Sequence, residues 1–132
     1  MTPDTSVVIA AFASWSEHHA KALRALGDVR DLIAHVELES YSVLTRMPQP
    51  FRAEPSIVAR YLREDFPGGR MVLGERARRG LPGRLAELSI AGGAAYDAIV
   101  ALTAADHGLT LLSCDVKART TYDRLGVDVE YL

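Results

Sequence analysis

Four carboxylates in this 132-residue chain stand where a fold could bring them together: Asp4, Glu39, Asp97 and Asp115. Asp4 and Asp115 each follow a predicted buried strand, whereas Glu39 and Asp97 lie near the starts of predicted helices. In a parallel sheet, all four places lie at or close to one edge, the edge at which open α/β sheets bind their ligands. We therefore expect one acidic cleft.

The chemistry of such a cleft follows from its charge. Four carboxylates held together repel one another and raise each other's pKa values unless a cation joins them. A divalent metal ion is the economical explanation, and all-oxygen ligands suit Mg²⁺ or Mn²⁺. One or two such ions can activate a water for in-line attack on a phosphodiester and hold the leaving oxygen. The pattern thus predicts metal-dependent nuclease chemistry.

Asp97 is the hardest of the four acids to explain without a function. Its neighbours at helical spacing are Val100, Ala101 and Ala104, so it lies on the apolar face that should pack on the sheet. A charge in that position is costly unless something pairs with it.

The other acids also admit a simpler account. Asp4 precedes Thr5 and Ser6, and Asp, Thr and Ser are all favoured helix caps, so Thr5 or Ser6 can cap the first helix and Asp4 itself needs no role beyond a cap. Glu39 taken alone fits a solvated acid, and Glu37 competes with it for any role in the cleft.

The elements that must position these acids alternate between strands and helices. Such alternation predicts βαβ units with right-handed crossovers and a mainly parallel sheet covered on both faces, built from roughly five strands. We expect one domain over residues 1–132. Besides the short N-terminal lead, the predicted strands cover residues 32–36, 70–73 (a weak prediction), 110–113 and 127–131. Besides the first helix, the predicted helices cover residues 16–26, 37–47, 56–66, 75–89, 94–107 and 116–125. The helix over 75–89 is expected to be broken at 80–83.

Composition excludes several classes of protein. With 48% apolar and 24% charged residues the chain is typical of a soluble globular domain. It has no apolar run long enough to span a bilayer and no basic secretory lead, so we expect a cytoplasmic protein without membrane contact. The single cysteine, Cys114, allows neither an internal disulfide nor a Cys/His zinc site.

Positive charge is concentrated in the middle of the chain. Eight of the fifteen basic residues lie between Arg52 and Arg84, against four acids, although the whole chain has a net charge of −2. A solvated helical face explains such a run, and so does a surface that steers an anionic substrate to an acidic site.

Four segments, taken in order, carry a family resemblance. Asp4-Thr5-Ser6, residues 39–46 beginning Glu39-Ser40-Tyr41, Gly92 to Ala98 around Asp97, and Leu111 to Asp115 resemble the PIN-domain family, and within it the VapC ribonuclease toxins of bacterial toxin–antitoxin pairs. The resemblance covers nearly the whole chain.

The resemblance implies an α/β/α sandwich with a parallel sheet and Mg²⁺- or Mn²⁺-dependent endonucleolytic cleavage of RNA. It implies a homodimer and a cognate VapB-type antitoxin whose C-terminal segment occludes the site. Asp4 and Asp97 would be the principal metal ligands, and Glu39 and Asp115 would complete the acidic pocket. Polar residues that would support these ligands are Thr5, Ser6 and Ser113, and the Arg52 to Arg84 segment would offer phosphate contacts.

The N-terminus departs from the family pattern. Only Met1-Thr2-Pro3 precedes Asp4, where the family has a longer apolar strand, and proline cannot donate to a sheet ladder. We expect either a clipped first strand or a true start upstream of Met1, which upstream in-frame codons for apolar residues would support.

Two other interpretations compete with the nuclease. A phosphoacceptor domain of the response-regulator or haloacid-dehalogenase type would need adjacent early acids or Asp-x-Asp, and Asp4-Thr5-Ser6 supplies neither. A non-catalytic RNA- or protein-binding module on the same scaffold remains open, although the presence of all four acids counts against a decayed site.

Overall fold

The strands of the protein are short and all of their pairings are parallel. The structure, a computed structural model, describes residues 1–132. The five strands are β1 (Thr2–Pro3), β2 (Leu32–Ile33), β3 (Arg70–Met71), β4 (Leu111–Ser113) and β5 (Val129–Tyr131). They form a three-stranded sheet in the order β1-β4-β5 and a two-stranded sheet of β2 and β3. The predicted α/β class with parallel pairing is confirmed, but the five strands do not form one continuous ladder.

Pro3 explains why the ladder is divided. The amides of Thr2 and Asp4 donate to the carbonyl oxygens of Thr110 and Leu112 at β4, at 3.0 and 2.8 Å. Pro3, between them, faces the opposite edge, where β1 packs beside β2. Because proline has no amide proton, it cannot supply the bond that would join the two sheets.

Eight helices surround the strands. Their bounds are α1 (Thr5–Phe12), α2 (His19–Leu26), α3 (Ala34–Arg46), α4 (Pro55–Asp65), α5 (Glu75–Arg79), α6 (Leu81–Glu87), α7 (Ala94–Asp106) and α8 (Arg119–Leu125). The break that we predicted between 80 and 83 separates α5 from α6 at Gly80. None of the eight combines the length and apolar character needed to cross a membrane.

The prediction was wrong at the junction of β2 and α3. We expected a strand over 32–36, but the strand ends at Ile33 and α3 begins at Ala34. Val36, Ser40 and Leu44 are all buried and follow one another at four-residue spacing. Val36 therefore belongs to the buried face of a helix, and its apolar character was mistaken for that of a strand.

Both faces of the strands are covered. Leu111 and Leu112 on β4 are fully buried. On β2, Leu32 is fully buried and Ile33 is 1% exposed. Successive strand residues point to opposite faces, so helices must lie on each side, as in the predicted three-layer arrangement. One hydrophobic core of 27 buried residues runs through the chain, which favours the predicted single domain over residues 1–132.

Candidate active site

The four predicted acids line one cavity of about 190 Å³. Each comes from a different part of the fold. Asp4 follows β1 and precedes α1, Glu39 lies on α3, Asp97 lies in the first turn of α7, and Asp115 lies between β4 and α8. The cavity is completed by Thr5, Ser6, Ile9, Val43, Val100 and Tyr122.

Asp4 is the most constrained of the acids. It is only 4% exposed, and its Oδ1 accepts hydrogen bonds from the Ser6 hydroxyl and from the Val7 amide, the latter at 3.2 Å. Its Oδ2 accepts a hydrogen bond of 3.0 Å from the Tyr122 hydroxyl. Among the three residues that could cap α1, Asp4 is therefore the N-cap, and neither Thr5 nor Ser6 takes that position.

Burial and hydrogen bonding act on Asp4 in opposite directions. Burial raises the pKa of the Asp4 carboxyl, while the hydroxyls of Ser113, Ser6 and Tyr122 and the Val7 amide oppose that rise. The carboxylate form is thus destabilised by desolvation but held in one orientation by several donors.

Both serines that were predicted to support the acids, Ser6 and Ser113, connect β4 to them. The Ser6 hydroxyl donates to Asp4 and accepts a hydrogen bond of 2.8 Å from the Cys114 amide. Ser113, fully buried at the end of β4, accepts a hydrogen bond of 3.0 Å from the Asp115 amide. The third predicted supporting residue, Thr5, lines the cavity. The serine bonds fix the backbone from which two of the acids extend.

The pKa of Asp97 is raised by burial and by the charges of the other three acids. Burial first, and then the charges of Glu39, Asp115 and Asp4, raise its pKa from 3.8 to about 6, while His35 opposes the shift. The four carboxyl groups are therefore close enough to act on one another. A cation among them would relieve this repulsion.

Glu39 and Glu37, which the sequence could not separate, point to different places. Glu39 lines the acidic cavity, and its Oε2 lies 2.9 Å from Nε2 of His35. Glu37 instead forms an ion pair with Arg70 on β3. Glu39 is therefore the glutamate that lines the acidic cavity, and Glu37 links α3 to β3.

Asp115 has a structural task besides its place in the cavity. Its Oδ1 accepts hydrogen bonds from the Lys117 and Ala118 amides, at 2.8 and 3.4 Å. These bonds close the turn that precedes α8, so one oxygen is committed to the backbone.

Tyr122 also lines the cavity, although it was not among the predicted site residues. This residue is 2% exposed and its hydroxyl lies against Asp4, 118 positions earlier in the chain. No local pattern indicates such a contact, since a buried tyrosine in an amphipathic helix is ordinarily part of the core.

Some arginines of the middle basic segment make structural contacts. Arg70 bonds to Glu37 and to the carbonyl oxygens of Leu62 and Phe66, and Arg79 pairs with Glu75 at 3.0 Å. The residues lining the acidic cavity include no basic side chain. Phosphate contact by the Arg52 to Arg84 segment stays a prediction.

The cavity suits a divalent cation by the chemistry of its donors. All four acids offer oxygen atoms, which Mg²⁺ and Mn²⁺ prefer. No three His, Cys, Asp or Glu side chains are arranged closely enough to hold one ion as they stand. Mg²⁺ usually keeps several waters and takes only one or two carboxylates directly, so this donor set fits such an ion without a preformed cage.

Comparison with known proteins agrees with this geometry. Residues 1–123 match the PIN domain family. The chain is 47% identical over 130 residues to Ribonuclease VapC40 of Mycobacterium tuberculosis, in strains CDC 1551 / Oshkosh and ATCC 25618 / H37Rv, covering 98% of this chain and 97% of the relative. It is 40% identical over 136 residues to Ribonuclease VapC27 of strain ATCC 25618 / H37Rv, covering 96% and 92%. The chain belongs to the PIN-domain family, and within it to the VapC group that its sequence motifs predicted.

Proposed function

We propose that this protein is the endoribonuclease toxin of a toxin–antitoxin pair and that it hydrolyses RNA phosphodiester bonds in a Mg²⁺- or Mn²⁺-dependent reaction. The observation that carries the proposal is the convergence of Asp4, Glu39, Asp97 and Asp115 on one cavity. The raised pKa of Asp97 supports it, because a site that must hold a cation accumulates negative charge that is unfavourable in the cation's absence. The names of the relatives, both called ribonucleases, support it independently.

The four acids have different roles in this proposal because their environments differ. Asp4 and Asp97 are the principal ligands in this proposal, since Asp4 is held by several hydrogen-bond donors and the pKa of Asp97 is raised by burial and by the charges of the other three acids. Glu39 and Asp115 complete the negative charge, directly or through water. A bound divalent ion supplies charge neutralisation on the phosphate and lowers the pKa of an attacking water.

The supporting residues act by positioning. Ser6, bonded to both Asp4 and the Cys114 amide, keeps the end of β1 fixed against β4. Ser113 holds the Asp115 backbone. Rigid support of this kind preserves the ligand geometry that in-line displacement requires.

The decisive experiment is cleavage of RNA by purified protein. We expect total RNA to be degraded with Mg²⁺ or Mn²⁺ and preserved with EDTA. Asp4→Asn and Asp97→Asn should each abolish cleavage, whereas Asp123→Asn, at an exposed acid on α8, should not. Expression of the parent chain should arrest growth, and the two active-site variants should relieve the arrest.

The same experiment tests the alternative. If the parent and both variants bind RNA equally and none of them cleaves it, the protein is a binding module on a PIN scaffold.

The partners and location follow from membership of the VapC group. We infer a VapB-type antitoxin whose C-terminal segment covers the acidic cavity, a homodimeric toxin and a cytoplasmic location. Co-expression with the product of a neighbouring antitoxin gene should restore growth and give a stable complex in size-exclusion chromatography. Light scattering of the free toxin measures whether it is a dimer.

A further inference from the structure

A second opening adjoins the acidic cavity and shares Glu39 and Asp97 with it. Its volume is about 440 Å³. We call it the Tyr96 cleft, and its lining residues are His35, Leu38, Glu39, Ser42, Arg46, Gly93, Tyr96 and Asp97. Because the two cavities share these two acids, a polynucleotide whose phosphate lies at the acids can extend into this cleft.

The ring of Tyr96 is both exposed and held in place. Tyr96 is 59% exposed, although it immediately precedes Asp97 on α7. Its ring stacks on the imidazole of His35, with the planes 7° apart and the ring centres 5.4 Å apart. His35 is in turn bonded to Glu39 at 2.9 Å. The phenol therefore offers an aromatic surface of defined orientation beside the acids, and little side-chain entropy remains to be lost on binding.

Arg46 supplies a positive charge to the same cleft. It forms no salt bridge, and its guanidinium donates a hydrogen bond of 3.3 Å to the Ser42 hydroxyl. Arg70 and Arg52, by contrast, are bonded to a carboxylate and to a backbone carbonyl respectively. A guanidinium without a carboxylate partner is free to bind a phosphate.

We propose that Tyr96 stacks on an unpaired base of the RNA next to the cleaved phosphate, while Arg46 binds a neighbouring phosphate. The inference rests on the proposed function, since it takes RNA as the molecule at the acids. Stacking on an aromatic ring requires a base that is free of its pairing partner.

The test measures binding of a short unstructured RNA to the full chain carrying Asp97→Asn, so that the RNA is not consumed. In this background, Tyr96→Leu should weaken binding about tenfold or more, the range found when a stacking side chain is lost. Tyr96→Phe keeps the ring and should bind as the parent does. Phe51→Leu is the matched control, since Phe51 is also an exposed aromatic residue but packs on Trp15 outside the cleft.

A double-mutant cycle separates stacking from a general structural effect. RNAs that lack one base at successive positions are bound in parallel to the chain with Tyr96 intact and to the chain carrying Tyr96→Leu. Loss of the base at one position should weaken binding about tenfold when Tyr96 is present and should cause no further loss after Tyr96→Leu. A merely structural role for Tyr96 would weaken all RNAs alike.

The role of Arg46 is tested by how RNA affinity depends on salt concentration. Arg46→Gln should weaken binding and lower the slope of log affinity against log salt by about one phosphate contact. The control Arg24→Gln, at an exposed arginine of α2 outside both cavities and outside the middle basic segment, should leave the slope unchanged.

The outcomes separate this inference from the proposed nuclease. If the parent chain cleaves RNA and Tyr96→Leu changes neither KM nor binding, the stacking role is wrong and the nuclease stands. If the parent chain never cleaves but binds with the predicted Tyr96 and base dependence, the inference stands and the nuclease fails. Unchanged RNA binding together with lost antitoxin binding in Tyr96→Leu would overturn the inference and make the ring a protein contact, and absence of any RNA binding would also overturn it.

Discussion

The hydroxyl of Tyr122 donates a 3.0 Å hydrogen bond to Oδ2 of Asp4, which joins α8 to the end of β1 inside the core. Burial and the adjacent Asp4 carboxylate raise the pKa of Tyr122 well above its ordinary value. The hydroxyl consequently keeps its proton and remains a donor at every physiological pH. The bond both orients Asp4 and satisfies a carboxyl oxygen that is almost out of reach of water.

Removing that donor should lower stability. We expect Tyr122→Phe to cost about 1.5 to 3 kcal/mol in the free energy of unfolding, the range for a hydrogen bond to a charged group, measured by urea denaturation at pH 7. The matched control is Tyr131→Phe, because the Tyr131 hydroxyl is buried without a partner. That control should cost less than about 0.5 kcal/mol. Equal losses in the two variants would mean that the bond to Asp4 contributes nothing.

The stability of the cation-free protein should fall as pH rises from about 4 to about 6. The pKa of Asp97 is raised from 3.8 in the unfolded chain to about 6 in the fold, so the folded state binds more protons across that window. The stability contributed by the bound proton is fully present below the lower value and is lost as pH passes the upper one. Burial acts on Asp4 in the same direction.

Asp97→Asn should remove most of this pH dependence. At pH 7 with EDTA, the variant should be more stable than the parent by on the order of 1 kcal/mol, a value reduced for the water that screens a half-buried carboxyl. Urea unfolding at a series of pH values measures both effects. A variant whose stability follows the same pH curve as the parent would contradict the crowding of acids around Asp97.

Divalent cations should offset the loss of stability that the crowded carboxylates cause in the cation-free protein. We expect Mn²⁺ or Mg²⁺ to raise the unfolding temperature of the parent, with a gain of about 2.7 kcal/mol when the cation is at a roughly hundredfold excess over its Kd. Asp97→Asn should lose most of this gain, while Asp123→Asn should keep it. Differential scanning calorimetry with and without EDTA measures the shift in unfolding temperature. An equal gain in stability in both variants would show that the cation binds at another site.

Glu37 and Glu39 should separate stability from activity. Glu37→Gln breaks the ion pair with Arg70, which joins α3 to β3, and should lower stability by about 1 kcal/mol while leaving RNA cleavage intact. Glu39→Gln removes an acid of the cavity and should reduce cleavage about tenfold or more with little loss of stability. Urea unfolding and RNA cleavage measured on both variants check the two halves, and loss of cleavage in Glu37→Gln alone would exchange their roles.

The sequence determined the α/β class and the family and predicted the four acids, because each depends on a local pattern. Strands alternating with helices, and acids at the ends of those elements, are read from the spacing of near neighbours along the chain. The sequence also predicted a short first strand, since the missing amide proton of Pro3 belongs to the residue itself, but it did not predict that the ladder would be divided there.

Only the tertiary structure decided which of two neighbouring glutamates belongs to the site and what holds Asp4. Glu37 and Glu39 differ in role because Arg70 lies beside one and Asp97 beside the other. Tyr122 reaches Asp4, and His35 stacks on Tyr96, through contacts between residues far apart in the chain. Such contacts depend on how whole helices pack, which short-range spacing in the sequence does not encode.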